Sequence, residues 1–366
     1  MEERVYAFWL HTLRGIGLRK ANALLQLYGS AANIYYGDKE KLSEIPCLNS
    51  KDIMSLSHPE PIKKMADRLA VLEERGIYFC YKEQDDYPEK LREIPDAPFG
   101  LFFRGHLPPQ NRLTVAVVGG RNASYESREI ARNFGRELAE NGISVVSGLA
   151  RGVDISAQSG ALEIPGGRTY AVLGNGIDIC YPRQHIEPYM MMQQKGGVIS
   201  EYPPGTPGYA GNFAFRNRII SGLSDGVLVI GAREGSGSLI TAECALEQGR
   251  EVFVVPGKIT DAAYAGGNCL LKYGAAVVTD VQDILDGLGI FLDDNISSRK
   301  KKKYVVLETT EKIVYAILGF DGIHISEIVG RTGITVPEVT EALLSLERKQ
   351  LITMVGQHYY ALKWNT

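Results

Sequence analysis

The sequence predicts an α/β protein whose central part is a doubly wound parallel sheet, with a helical region before it and a winged helix after it. Of the 40 glycines in 366 residues, 26 lie within residues 114–280, which indicates a region built on tight loops. In the same region, short runs rich in β-branched residues alternate with helical patterns, as in a parallel sheet covered on both faces. The 45% apolar content is typical of a soluble globular chain, and the length allows two or three domains.

Residues 1–75 are predicted to form a helical domain that resembles a SAM or helix-hairpin-helix unit. The stretch LRGIGLRKANALL places Gly15, Ile16 and Gly17 between two apolar helical patterns. Such a hairpin directs backbone N–H groups at a phosphate, so that it binds DNA without reading sequence. A DNA contact and a purely structural role are equally open here. A second copy at residues 42–53 has Pro46 and Cys47 where glycines are needed, which favours a packing role.

Residues 76–290 are predicted to form the doubly wound sheet. Strands are expected at residues 115–118, 143–146, 170–173, 198–200, 227–230, 252–255 and 276–278. A helix with Ile130, Phe134 and Leu138 on one face joins the first two strands, and Gly142 follows its end. Ligands of such sheets bind beyond the carboxyl ends of the strands, so the loops that follow the strands are the predicted site.

Six glycine-containing loops follow these strands and are expected on one edge of the sheet. They span residues 119–124, 147–154, 173–182, 200–218, 231–242 and 256–268. Together they offer backbone N–H groups and helix N-termini suited to phosphates. A dinucleotide site needs GxGxxG after the first strand, where this chain has GGRNAS, and no GxxxxGK[ST] string occurs. The sequence therefore disfavours NAD and ATP sites, and we expect no cofactor.

Arginine is the main cation of this region, with 11 Arg and 3 Lys within residues 114–280. A guanidinium offers a planar fork to phosphate oxygens and a flat face to a base. The segment NFAFRNR, interpreted as part of a long loop, adds two phenylalanines on which bases stack, one of which is expected to pack beneath the loop. The candidate DNA-binding residues are Gly119, Gly120, Arg121, Arg151, Phe213, Phe215, Arg216 and Arg218.

Support for catalysis is weaker. Residues 114–280 contain one histidine, His185, and no Ser-His-Asp arrangement is evident. Asp154 and Asp178 lie near the predicted site, but capping a helix or bracing an arginine is the commoner task of such carboxylates. Glu201, directly after a strand, is the best carboxylate candidate for chemistry. The five cysteines lack the spacing of a zinc site or of a disulfide framework. We therefore predict no catalytic residue, no metal and no enzymatic activity.

The C-terminal part is predicted to contain a basic linker and a winged helix. The linker, residues 291–305, turns polar and then basic in FLDDNISSRKKKKY. Residues 306–366 show three short helical patterns and two β-prone stretches, with residues 336–348 in the recognition-helix position. That helix carries three acidic residues, Glu338, Glu341 and Glu347, and a single cation, Arg348. This composition favours a protein contact or a structural role over the reading of DNA.

The membrane classes are disfavoured. No stretch approaches the ~18 uncharged apolar residues of a membrane span, and the charged start MEERVYAFWL lacks the order of a signal peptide. We expect a cytoplasmic protein without membrane insertion.

Five segments in order carry a resemblance to the DNA-processing protein A family (DprA, also called Smf). They are SGLARGVDISAQSGAL, GNGIDICYP, SEYPPG, FAFRNRIISGLSD and SGSLITAECALEQGREVFVVPG, at residues 147–162, 174–182, 200–205, 213–225 and 236–257. The resemblance implies a cytoplasmic, homodimeric, Rossmann-like protein that binds single-stranded DNA and helps to load the RecA recombinase during natural transformation.

The resemblance also implies site residues. Arg121 would lie in the DNA pocket as a phosphate clamp, together with Phe213, Arg216, Asn217 and Arg218, and with Ser236, Gly237 and Ser238 nearby. The family usually has serine at the position of Gly120 and glutamate at that of Gly231. The first difference implies a weaker phosphate contact, and the second removes a possible brace for the arginines.

Two other functions stay open from the sequence. A nucleotide-hydrolysing enzyme of the phosphoribohydrolase type has a similar Gly-rich loop, but its PGGxGTxxE string is not matched by GSGSLITAE. A transcription regulator acting through the winged helix would instead prefer a particular duplex sequence.

Overall fold

The computed structural model describes residues 2–290 and 307–363. The predicted basic linker, residues 291–305, lies outside the described residues.

A nine-stranded sheet forms the centre of the chain. Its strands are β1 (Tyr78–Tyr81), β2 (Gly100–Gly105), β3 (Thr114–Gly119), β4 (Ser144–Ser147), β5 (Thr169–Leu173), β6 (Gly196–Ser200), β7 (Gly226–Ile230), β8 (Glu251–Val254) and β9 (Ala276–Val277). Their order is β1-β2-β6-β5-β4-β3-β7-β8-β9. Strands β3 to β9 are parallel, which confirms the predicted doubly wound sheet. The antiparallel pair β1 and β2 extends it at the β6 edge and was not predicted.

Helices flank the sheet and build the two terminal regions. They are α1 (Glu3–Thr12), α2 (Leu18–Tyr28), α3 (Ala31–Tyr36), α4 (Ser50–Ser57), α5 (Ile62–Glu74), α6 (Glu89–Arg92), α7 (Tyr125–Glu140), α8 (Val153–Glu163), α9 (Ile186–Lys195), α10 (Ala210–Gly222), α11 (Gly237–Glu247), α12 (Ala265–Lys272), α13 (Val281–Gly287), α14 (Thr309–Ile317), α15 (Ile325–Thr332) and α16 (Val336–Arg348). Among the described residues, none of these helices is long and apolar enough to cross a bilayer.

Successive residues of a strand point to opposite sides of the sheet, and helices cover both sides, so the sheet is buried on both faces. In β3, Val115 and Val117 pack in a core with residues of α7 and α8. Ala116 and Val118 pack on the other side, in a core with residues of α10 and α11. All four are buried, so the end of β3 is a fixed base for the loop that follows it.

The N-terminal helices share a hydrophobic core with the sheet. Phe8 of α1 makes edge contacts with Phe79 of β1 and Phe102 of β2, with ring centroids 5.5 and 6.1 Å apart. The same core includes Leu149 and Val198. The boundary predicted at residue 75 therefore remains a proposal about organisation, because the packing is continuous across it.

The C-terminal region is a winged helix, as predicted. Helices α14 to α16 pack on a small sheet of β10 (Ile323–His324), β12 (Tyr359–Leu362) and β11 (Ile352–Gly356), in that order. Helix α16 has the predicted bounds of the recognition helix. Burial favours the neutral form of the Glu311 carboxyl, but hydrogen bonds led by that from Lys349 outweigh burial and hold its pKa at about 2.

Candidate functional site

A cavity of about 360 Å³ lies at the point where the strand order reverses, between β3 and β7. From β3 the chain proceeds to β4 on one side, whereas β7 pairs with β3 on the other. Ligands of doubly wound sheets bind at such a switch point, beyond the carboxyl ends of the strands. The cavity is lined by the loops that follow β3 and β7 and by the first residues of α11. The sequence predicted this edge of the sheet but not the position along it.

Glycines allow the two strand ends to come together at the cavity floor. A Cβ atom added to Gly119 would lie 2.0 Å from the Ile230 carbonyl oxygen, and one added to Gly120 would lie 2.9 Å from the Gly231 oxygen. Gly231 has a φ of +56°, a left-handed conformation that side chains disfavour. Gly120 and Gly231, the two positions where the resemblance implies serine and glutamate instead, therefore lie next to each other. The Gly231 carbonyl oxygen occupies the space that a side chain at position 120 would need.

Three arginines line the cavity. Arg121 follows β3, Arg233 follows β7, and Arg216 comes from α10. The side chains of Arg121 and Arg233 are exposed, and neither makes a hydrogen bond or an ion pair with the described residues. Both side chains can therefore turn towards an anionic ligand without breaking an internal contact. Arg233 was not among the predicted residues, although it follows its strand much as Arg121 does.

Arg216 provides a fixed positive charge beneath the cavity. Its side chain is buried, and Nη1 donates to the carbonyl oxygens of Gly148 (3.1 Å) and Val172. Its Nε–H is buried without a partner among the described residues. Burial lowers the Arg216 pKa to about 10, against the opposing attraction of Asp154. The guanidinium is therefore still charged at neutral pH and attracts an anion in the cavity above it.

The start of α11 closes the other side of the cavity. Asn217 Nδ2 donates to the Gly237 carbonyl oxygen (2.9 Å), and the hydroxyls of Ser236 and Ser238 lie 2.8 Å apart. Helix α11 has no side-chain cap, so the N–H groups of its first two residues, Gly237 and Ser238, remain available at the positive end of the helix dipole. Arginines, glycine backbone and a helix N-terminus together form a site suited to a phosphate.

Eight of the twelve predicted residues meet at this cavity. They are Gly119, Gly120, Arg121, Arg216, Asn217, Ser236, Gly237 and Ser238. Arg151 is exposed in the loop after β4, beside the cavity-lining Ala150. Phe213 is half-buried, packs on Tyr181 with ring centroids 5.4 Å apart, and lies against Gly174.

The segment NFAFRNR is helical, which corrects the prediction that it forms part of a long loop. It belongs to α10, where residues 216–222 are all buried and the first three of them, Arg216, Asn217 and Arg218, are polar, so no one-sided apolar stripe marks the helix. The loop prediction extended the Pro- and Gly-rich residues 203–208 too far. Because the segment is a helix, its neighbouring side chains point to different sides.

Arg218 lies outside the switch-point cavity, where it acts as a brace. Its side chain is 3% exposed, and it pairs with Glu201 (Nη2 to Oε1, 2.8 Å) and with Asp96 (Nε to Oδ2, 3.1 Å). Its guanidinium carbon lies 3.8 Å from the centroid of the Phe215 ring. Glu201, the best carboxylate candidate for chemistry in the sequence, is thus engaged in an ion pair.

The other two carboxylate candidates also accept structural hydrogen bonds. Asp154 accepts from the Gly148 N–H (3.1 Å), and burial raises its pKa against the opposing effect of Arg216. Asp178 accepts from the Gly205 N–H (2.7 Å). Each carboxylate fixes a loop of the ligand-binding edge.

Comparisons with known proteins agree with this architecture. The chain matches the family model of the DNA recombination-mediator protein A over residues 78–289, and that of the DprA winged helix domain over residues 300–356. It is 38% identical over 310 residues to Protein Smf of Escherichia coli (strain K12), covering 83% of this chain and 82% of that protein.

Two solved structures are similar. The DNA processing protein A (DprA) of Streptococcus pneumoniae superposes with a TM-score of 0.68 at 32% identity, over 78% of this chain and 98% of that chain. The DNA processing protein A of Helicobacter pylori, described for its single-stranded DNA binding mode, superposes with a TM-score of 0.51 at 30% identity. That match covers 57% of this chain and 95% of that chain.

Proposed function

This chain belongs to the DNA recombination-mediator protein A family, and from that premise we propose that it binds single-stranded DNA at the switch-point cavity without catalytic turnover. The observation that carries the proposal is the convergence of Arg121, Arg216 and Arg233 on a floor of glycine backbone. Among the described residues that line the cavity, the one carboxylate is that of Asp154. It interacts with the charge of Arg216 and accepts a hydrogen bond from the Gly148 N–H in the loop after β4.

The geometry supports recognition of the DNA backbone. Phosphate oxygens accept hydrogen bonds from the first N–H groups of α11, while Arg216 supplies a fixed charge from below and Arg121 closes from the solvent side. Contacts of this kind position a strand but carry no sequence information. We expect affinity with little sequence preference that falls as salt rises.

Family membership supports a finer proposal: the protein acts in the cytoplasm as a homodimer that loads RecA on incoming DNA in natural transformation. Two cavities on one strand would raise the avidity through their effective concentration. Sedimentation at micromolar protein tests the dimer. A monomer with unchanged DNA affinity would count against it.

A binding comparison tests the main proposal. Gel shifts of one sequence as a single strand and as a duplex, each at several salt concentrations, are expected to show tighter binding to the single strand. Equal or tighter binding to the duplex would overturn the proposal. Incubation with AMP provides a further check, because release of ribose phosphate would indicate a hydrolase instead.

A further inference from the structure

A second cavity of about 700 Å³ lies between the N-terminal helices and the central sheet. We term it the hairpin cleft: residues 14–18 of the glycine hairpin line one wall, and Tyr209 and Phe215 line the other. Helix α10 separates it from the switch-point cavity. It presents Phe215 to the hairpin cleft and Arg216 and Asn217 to the other side. A helix is roughly 10 Å across, so the two cavities are close enough for one strand to enter both.

The Phe215 ring is fixed in place and remains accessible. The guanidinium of Arg218 lies against it, and that guanidinium is held by Glu201 and Asp96. Phe215 is nevertheless 45% exposed, and Tyr209, which lines the same wall, is 61% exposed. A ring that is already immobilised loses little conformational entropy when a flat ligand stacks on it.

The opposite wall offers groups for a phosphate. Ile16 is buried, and Lys20 Nζ bonds both the Gly15 carbonyl oxygen (2.8 Å) and Asp52 (2.7 Å), so the hairpin is fixed. Gly17 is the N-cap residue of α2 and supplies no side-chain cap, which leaves the first N–H groups of that helix available. Arg14 is exposed at the same wall and has no partner among the described residues.

We propose that the hairpin cleft is a second subsite for the same strand, in which an unpaired base stacks on Phe215 and its phosphate contacts the start of α2. The inference rests on the proposed function. Any base fits such a platform, because every base has a π-face. Arg218 and Glu201 act as positioning residues, since they hold the ring and do not touch the DNA.

Truncation of the platform gives the first test. Phe215→Ala is expected to weaken the binding of an oligo(dT) of about 20 nucleotides roughly 5- to 150-fold. An oligo(dT) of about six nucleotides should bind to this variant and to the wild type with the same affinity. Phe215→Trp should restore the affinity for the long strand. Tyr36→Ala removes an exposed aromatic outside both cavities and serves as the matched control, with no expected effect. Melting curves of each variant exclude unfolding as the cause.

A spectroscopic signal shows stacking directly. A 2-aminopurine base placed at successive positions of the long oligomer should be quenched at one position by the wild type. That quenching should disappear with Phe215→Ala and return with Phe215→Trp. Quenching that is unchanged in Phe215→Ala at every position would overturn the proposed platform.

Two substitutions of Gly17 that differ only in charge test the role of the hairpin. A Cβ added at this position meets no atom within 4 Å. Asp and Asn are equally good N-caps, so Gly17→Asp and Gly17→Asn should fold alike. Only the aspartate places a negative charge where the phosphate is proposed, so it should weaken long-strand binding several-fold relative to the asparagine. Equal affinities would remove the hairpin from the subsite.

The two proposals fail in different ways. If the wild type binds neither oligomer, the proposed function itself is wrong. If the wild type binds both oligomers and Phe215→Ala matches it at both lengths, the proposed function stands and the second subsite is refuted.

Discussion

Replacement of Arg121 is the most informative perturbation of the switch-point cavity. Its side chain is exposed and has no partner among the described residues, so Arg121→Ala removes no internal hydrogen bond or ion pair. Exposed substitutions of this kind usually change the free energy of unfolding by less than about 0.5 kcal/mol. Stability should therefore be unchanged, and any decrease in DNA affinity can be attributed to the binding step.

The expected decrease follows from the hydrogen bonds that a guanidinium makes with phosphate. One charge-assisted hydrogen bond contributes about 1.5 to 3 kcal/mol, which corresponds to a weakening of roughly 10- to 150-fold. Arg121→Lys should recover part of this, because lysine keeps the charge but lacks the planar fork. The slope of log K against log salt should become shallower by about 0.7 for each phosphate that the variant no longer neutralises.

Fluorescence anisotropy with a labelled oligo(dT), measured on the same samples as the melting curves, provides the assay. Arg75→Ala is the matched control, because Arg75 is also exposed and lies outside both cavities. If Arg121→Ala melts early and keeps normal affinity per folded molecule, Arg121 is a structural brace and the clamp is refuted.

Three further predictions follow from the packing. Arg218→Met leaves the Glu201 carboxylate buried without its partner, so it should destabilise the protein by about 3 kcal/mol in urea unfolding; an unchanged midpoint would contradict the brace. Gly120→Ala places a Cβ 2.9 Å from a carbonyl oxygen and should lower both the melting temperature and the DNA affinity, whereas Gly211→Ala, with open space around it, should not destabilise α10. The pKa of Glu311 is about 2 in the fold against 4.5 ordinarily, so its contribution to stability is complete above pH 4.5 and is lost as the pH falls towards 2. Melting of the winged helix should therefore depend less on pH over that range in Glu311→Gln, and equal pH profiles would exclude this linkage.

The parallel strands and the recognition helix were predictable because their signals are local. The seven parallel strands read as short apolar runs, six of which are followed by glycine-containing loops, and α16 carries a regular apolar period. The pair β1 and β2 was missed, since YFCY and GLFFRG are short apolar runs outside the strand-loop-helix repeat.

The details of the site depended on interactions between residues that are distant in the sequence. Arg218 is held by Asp96 and Glu201, 122 and 17 residues away, so its burial has no local signature. The buried polar residues at positions 216–218 likewise concealed the helix α10, because they interrupt any apolar stripe. The close approach of Gly120 and Gly231 became apparent only when the ends of β3 and β7 were seen side by side.

Hydrogen–deuterium exchange on the full chain, with and without oligo(dT), tests most directly whether the switch-point cavity holds the strand. Binding there should slow amide exchange in residues 119–123 and 236–238, which line the cavity. Slowed exchange confined to the winged helix, with no change in those two segments, would contradict the assignment of the DNA site to the switch point.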